Sequence, residues 1–330
     1  MPLKGQHNLL RAKKKLQAIE LGISVAERPS GFQAGSLVSL FHVRRSIVLW
    51  FAKFVALSLL ISFMVLACAQ KGEEIRWAGS VKEALAAAED SQRHLLVDVY
   101  TQTCKWCKAL EDTTFSDSSV VDFSRQFIWA KVDARADTQA ARDFQVFGYP
   151  TILLLDPSGQ EVDRIVGYLR PEPFMAQIRD YLAGKGTMAA LQKQVGEDST
   201  KVQLLFLLGE KHHQRGQWDH SLSLFEKVVR LDPQNREGFS DDALSSQGDA
   251  LRRLERTDEA VVRFKQIADR YPESELAEEA PLEIGYTYQR AERKQEAVAA
   301  YQAFLRRYPG HQYEEWIKGQ LEKLADKPEE

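Results

Sequence analysis

Cys104-Lys105-Trp106-Cys107 places two thiols at the spacing that lets them meet. Residues three apart share one face of a helix, so the two sulfurs can reach bonding distance. The apolar run Leu95-Leu96-Val97-Asp98-Val99-Tyr100 stands just before the pair, and the residues after it read as a helix. Cys104 is thus expected at a helix N-terminus, where free backbone N–H groups and the positive end of the dipole favour thiolate over thiol. Thiol pKa values in such motifs lie between about 3.5 and 7.5, and Lys105 adds a charge that pushes the same way. Cys104 is therefore the expected nucleophile and Cys107 the resolving thiol, with Lys105 and Trp106 at the surface a substrate would meet. A structural disulfide and half of a zinc site are the competing readings. Zinc takes four ligands, and the chain has no second cysteine pair.

The surrounding residues supply elements to hold that pair. Ser80 with Glu83 reads as a capping box for a helix through Val81–Ala88. After the Leu95–Tyr100 strand and the helix carrying the cysteines comes a short helix near Ser118–Arg125. Phe127–Ala134 reads as a strand and Thr138–Phe144 as a helix. Strands at Thr151–Asp156 and Glu161–Gly167 flank the turn Pro157-Ser158-Gly159, and Pro171–Leu182 closes the unit as a helix. The order is a βαβ half followed by a ββα half.

On these residues the segment resembles a thioredoxin-fold domain, and it is most similar to the C-terminal domain of DsbD-type thiol:disulfide interchange proteins. The resemblance rests on Cys104-Lys105-Trp106-Cys107-Lys108-Ala109-Leu110-Glu111, on Thr114-Phe115-Ser116-Asp117 and on Gly148-Tyr149-Pro150-Thr151. It implies an α/β domain with a central mixed sheet and flanking helices, working as an oxidoreductase without a cofactor. It also implies roles for further residues. Asp98 falls where the family keeps a buried carboxylate near the second cysteine, and burial raises a carboxyl pKa, so Asp98 would accept the Cys107 proton. Glu111 matches a second acidic position, with a solvated helix carboxylate as the alternative. Lys131 falls where a lysine tunes the aspartate. Tyr149-Pro150 falls where the fold places a cis peptide that faces the cysteines and receives a substrate strand. Thr103 departs from the family, which carries Trp directly before the first cysteine, so substrate range does not carry over.

The uncharged run Phe54–Ala67 follows Lys53 and Arg44-Arg45 and precedes Cys68, the pattern of a secretory signal over residues 43–68. Val65-Leu66-Ala67-Cys68 resembles a bacterial lipobox, which implies lipidation of Cys68. Cleavage before Gln70 and an uncleaved anchor are the alternatives, the run being short of the about 20 residues that a span needs. Each puts the bulk of the chain outside the cytoplasm, at the periplasmic face of a bacterial membrane. Residues 1–42 fit no leader and read as a misassigned start, with translation from Val43, or as a disordered extension. Lipid on Cys68 would leave Cys104 and Cys107 as a self-contained pair.

Beyond Thr187 a repeat appears. Gly209, Ser221, Phe225 and Pro233 are followed by Gly248, Ala260, Phe264 and Pro272, then by Gly285, Ala297, Tyr301 and Pro309, with internal spacings of 12, 4 and 8 each time. This resembles tetratricopeptide repeats: small residues let two helices pack closely, the aromatic fills between units, and the proline ends the second helix. Arg270-Tyr271-Pro272 and Arg307-Tyr308-Pro309 resemble the long-helix variety of bacterial envelope assembly proteins. Tyr313, Trp316, Ile317, Leu321 and Leu324 form the stripe of a capping helix. His212, His213 and His220 come from one repeat, without a carboxylate or cysteine to complete a metal site.

The expected organisation is a linker at 69–74, a thioredoxin-like domain at 75–184, a linker at 185–200, an all-α solenoid of three repeats plus cap at 201–325, and a tail at 326–330. The expected partners are protein thiols and disulfides, a membrane electron donor, a protein held in the solenoid groove, and the membrane through lipid or anchor. A net charge of −3 and the lack of a sustained basic patch argue against nucleic acid. An envelope scaffold, with the thioredoxin-like domain as a docking module, is the alternative of a different class. A CxxC chaperone for metal or haem delivery is a third, predicting tight Cu(I) binding by the reduced pair.

Overall fold

Strand β1 (Leu95–Tyr100) is buried nearly throughout, which is why its sequence runs apolar instead of alternating. The computed structural model describes residues 74–325, and in it β1 is a central strand of a four-stranded sheet ordered β2-β1-β3-β4. Strand β2 (Ile128–Asp133) pairs parallel to β1; β3 (Thr151–Leu155) pairs antiparallel to β1, and β4 (Glu161–Val166) antiparallel to β3. A bridge from Trp77 to Trp129 extends pairing beyond β2, an addition the sequence reading lacked. Successive side chains point to opposite faces of the sheet. Leu95, Val97 and Val99 pack with helices α1 (Val81–Ser91) and α4 (Thr138–Asp143). Leu96, Trp129 and Ile165 pack on the other face, against Leu110 and Phe115, which follow α2 (Lys105–Ala109), and against α3 (Ser118–Ser124) and α5 (Pro171–Leu182). This is the mixed sheet with flanking helices of a thioredoxin-like domain.

Local chemistry sets the helix starts. Ser80 Oγ accepts from the Glu83 backbone N–H, Asp117 caps α3 through Ser119, and Pro171 opens α5, where its missing N–H costs nothing. One feature was not anticipated. After Ala109 the cysteine helix widens into a π-helical turn, Leu110–Phe115, which carries Leu110, Thr114 and Phe115 inward. Thr114 Oγ1 donates to Leu169 O at 2.6 Å, tying this turn to the end of β4.

The segment 185–200, expected as a linker, contains helix α6 (Met188–Glu197), and this corrects that expectation. Thr187 caps it, Leu191 is buried, and Asp163 of β4 accepts the Met188 N–H at 2.8 Å. Three helical hairpins follow, α7 (Val202–Gln214) with α8 (Trp218–Leu231), α9 (Ser240–Arg253) with α10 (Thr257–Arg270), and α11 (Glu275–Arg290) with α12 (Lys294–Arg307); α13 (Glu314–Ala325) closes the array. The repeated spacing has a direct packing cause. A Cβ on Gly209, Gly248 or Gly285 would stand 2.6, 2.4 or 2.7 Å from the ring of Phe225, Phe264 or Tyr301. Each ring therefore packs closely on the glycine of its own hairpin, and Phe225 and Phe264 also share core clusters with residues of neighbouring units, as the sequence suggested. The second helix of each unit ends two positions before Pro233, Pro272 or Pro309. Ile317 and Leu324 of α13 are buried with Tyr313, Trp316 and Leu321 packed against them, the expected stripe.

The leader, signal segment, lipidation of Cys68 and C-terminal tail lie outside the described residues.

Candidate functional site

Strand register gathers the site at one end of the sheet. Val99 near the C-terminal end of β1 pairs with Thr151 at the start of β3, so the chain entering β3 through Pro150 runs beside the chain leaving β1 toward Cys104. The Tyr149-Pro150 peptide is cis. Gly167 N–H donates to Pro150 O at 2.8 Å, which brings the following residue, Tyr168, to the same end. Its ring lies 5.6 Å from that of Trp106, and its hydroxyl is 3.0 Å from Thr113 Oγ1.

Cys104 and Cys107 form a disulfide, with their Cα atoms 5.3 Å apart. Cys104 occupies the N-cap of α2, and its sulfur accepts the Cys107 backbone N–H at 3.0 Å. A donor aimed at that sulfur is the local feature that favours a thiolate there once the pair is reduced. The two sulfurs differ in environment, Cys104 being half-buried and Cys107 buried. Lys105 and Trp106 between them are exposed.

Asp98 is 5% exposed and shares with Leu96 the sheet face on which Leu110 and Phe115 of the π-helical extension pack. Among the described residues no hydrogen-bond donor reaches its Oδ1. Burial pushes its carboxyl up to about 7, against the opposing pull of Lys131 and with a smaller upward push from Glu111. Lys131 is Asp98's register partner on β2. The Lys131 ammonium does not bond Asp98 but reaches Glu111 Oε1 at 2.7 Å, with the Trp77 ring centroid 4.4 Å away. Glu111 is mostly exposed, yet it anchors Lys131, so neither expectation for it describes it fully. Asp98, Lys131 and Glu111 thus form one cluster. Trp77, Thr113 and Tyr168 were missed: Trp77 precedes the first helix, and Tyr168 follows β4, with no motif marking either.

A second polar cluster was also missed. Asp163, fully buried on β4, accepts from Lys211 at 2.9 Å and Arg215 at 2.8 Å, both at the end of α7. Burial would raise its carboxyl, but these two cations hold it below the usual range. Lys211 also donates to Tyr181 OH at 2.8 Å, and burial pushes its ammonium down to about 8. Arg215 further reaches Glu161 at 2.7 Å. Carboxylates on β4 and cations on α7 are about fifty residues apart in sequence, which hides the pairing.

The three histidines do not converge. His212 stacks on His220 with ring centroids 5.2 Å apart, while His213 Nε2 faces Asp249 at 3.1 Å. Among the described residues no group of three or more His, Cys, Asp or Glu is placed to hold a metal ion.

Comparison with known proteins agrees with this division. Residues 81–182 match the family model of the thioredoxin-like domain, residues 204–237 a tetratricopeptide repeat, and residues 240–318 the YfiO outer membrane lipoprotein family. The thiol:disulfide interchange protein DsbD of Pseudoalteromonas atlantica is 31% identical over 116 residues, covering 33% of this chain and 20% of that protein. DsbD of Escherichia coli K12 is 30% identical over 113 residues, or 32% and 20%. The chain spans about a fifth of the length of the curated relatives it matches. A thioredoxin from Thermus thermophilus is 27% identical, with a TM-score of 0.31 over 34% of this chain and 95% of that one.

Proposed function

We propose that this chain, a thioredoxin-like domain homologous to the C-terminal domain of DsbD followed by tetratricopeptide and YfiO-like repeats, is a thiol:disulfide oxidoreductase of the bacterial cell envelope that reduces protein disulfides. The observation that carries this reading is the Cys104–Cys107 disulfide at a helix start, in a domain whose central strand buries a carboxyl raised to about 7.

The cycle balances as follows. The Cys104 thiolate attacks one sulfur of a substrate disulfide, a mixed disulfide forms, and the other substrate sulfur leaves as a thiolate. Cys107 then gives its proton to Asp98 and attacks Cys104 Sγ. This breaks the mixed disulfide and releases the second substrate thiolate. The substrate gains two electrons and the chain is left oxidised. A thiol donor at the membrane restores the pair by the reverse exchange. Lys105, Trp106, Tyr149 and Pro150 form the substrate-facing rim. Lys131 and Glu111 set the charge around Asp98, and a protein partner occupies the repeats. Lipid on Cys68 holds the protein at the periplasmic face. The matches to DsbD and to an outer membrane lipoprotein family support that location.

The match of residues 240–318 to that lipoprotein family also favours a second reading, an envelope scaffold. One experiment separates the two. Cys107→Ser, expressed in cells, leaves Cys104 without a resolving partner and should accumulate mixed disulfides with envelope proteins on non-reducing gels. Cys104→Ser,Cys107→Ser should lose both these adducts and the cellular role. A double variant that keeps its full cellular role contradicts the oxidoreductase reading.

A further inference from the structure

The loop that leads into cis-Pro150 is held from outside its own domain. Arg164 of β4 is buried and donates to Phe144 O and Gln145 O, both at 2.8 Å. Its charge is met by Glu161, at 2.8 Å to Oε1 and 2.5 Å to Oε2. Glu161 Oε1 in turn accepts from Arg215 of the first repeat at 2.7 Å. An ionic chain therefore runs from the end of α7 through β4 into the loop. A second, aromatic connection runs beside it. Phe147 packs edge-on to Trp218 of α8, with ring centroids 5.4 Å apart. The same ring lies against the turn between α7 and α8 so closely that a Cβ on Gly216 would collide with it, and Gly216 has a φ of +70°. Two residues separate Phe147 from Pro150, and Thr151 Oγ1 donates back across the proline to Gly148 O at 2.8 Å.

We infer that the first repeat hairpin buttresses the cis-proline loop, making Arg215 and Trp218 positioning residues for the reaction of the cysteine pair with protein disulfides. The inference rests on the oxidoreductase reading. A protein substrate must lay its backbone along the chain at the cis-proline, so it senses where that loop stands. A small disulfide needs only the Cys104 sulfur. The buttress therefore acts on one substrate class and leaves the other alone, and it is not a remote recruitment device.

The test compares the full chain with Trp218→Ala, and with Phe147→Ala, which removes the same contact from a side chain that is 46% exposed and so is tolerated by the fold. Rates are measured with reduced protein against insulin and against hydroxyethyl disulfide, alongside the reduction potential. Both variants should slow insulin reduction by roughly tenfold, since small misplacements remote from the chemistry are costly. Hydroxyethyl disulfide rates should stay within about twofold and the potential unchanged, and Trp218→Phe should restore most of the insulin rate. Equal losses on both substrates, or no loss on insulin, overturn the inference while leaving the oxidoreductase reading intact. A wild-type chain inert toward both disulfides overturns the two together.

Discussion

Two carboxylates buried on the same face of one sheet have opposite fates. Leu96 of β1 pairs with Leu154, which pairs with Asp163 of β4; Asp98 lies two residues on from Leu96 and so shares that face. Asp163 is met by Lys211, Arg215 and the Met188 N–H, and it stays ionised, held below the usual range. Asp98 is equally dry, but its nearest cation is committed to Glu111, and its carboxyl rises to about 7. Burial alone does not decide what a carboxylate does. The partners that arrive with it decide whether it becomes a fastening between domains or a group that can exchange a proton near neutrality.

The sharpest way to break this contrast is to remove the fastening. Asp163→Ala leaves buried Lys211 without a carboxylate and Arg215 with Glu161 alone, and should cost about 3–5 kcal/mol, read by urea unfolding. The reaction of the surviving folded protein with a small disulfide should be unaffected. Asp98→Asn should act with the opposite sign on stability and against the reaction. Between about pH 4 and 7 the unfolded chain releases a proton that folded Asp98 keeps, so native stability falls with pH across that window and levels off above it. The Asn variant should therefore be about 4 kcal/mol more stable than wild type at pH 8 and no more stable below pH 4. Its resolution step should slow about a hundredfold, followed by decay of the mixed disulfide. Lys131→Met removes the pull that lowers the Asp98 carboxyl, so the pH midpoint of the resolution step should move upward by about one unit. A downward move would show that Lys131 does not act on Asp98. The smallest effect is expected for Glu111→Gln, which touches Asp98 weakly and frees an exposed ion pair worth under about 1 kcal/mol. Calorimetry and the same pH profile check it.

The contrast also explains what was legible in advance. Leu95–Tyr100 and Pro171–Leu182 end where the apolar pattern and the proline predict, because local chemistry sets those limits. The glycine-to-aromatic spacing of the repeats was readable because each ring packs on a glycine at a fixed distance along the chain. The Asp163 cluster was not readable. Its carboxylates and cations sit on a strand and a helix about fifty residues apart, and Asp163-Arg164 inside a strand gives no sign of which partners return to it. Helix α6 reads as a linker in the sequence because it is short and its one buried anchor, Leu191, leaves little apolar pattern. The π-helical turn after Ala109 carries no sequence signal and changes which side chains of that helix face the sheet. Around the cysteines, the Asp98, Lys131 and Glu111 cluster was reached only through family resemblance, and Trp77 and Tyr168 lay beyond it.

The central claim is that Cys104 and Cys107 cycle as a reducing pair, and their reduction potential tests it most directly. Equilibrating the full chain in dithiothreitol or glutathione buffers and counting free thiols should give a value around −270 mV. A value near −120 mV, or a pair that does not cycle between dithiol and disulfide at all, would contradict it.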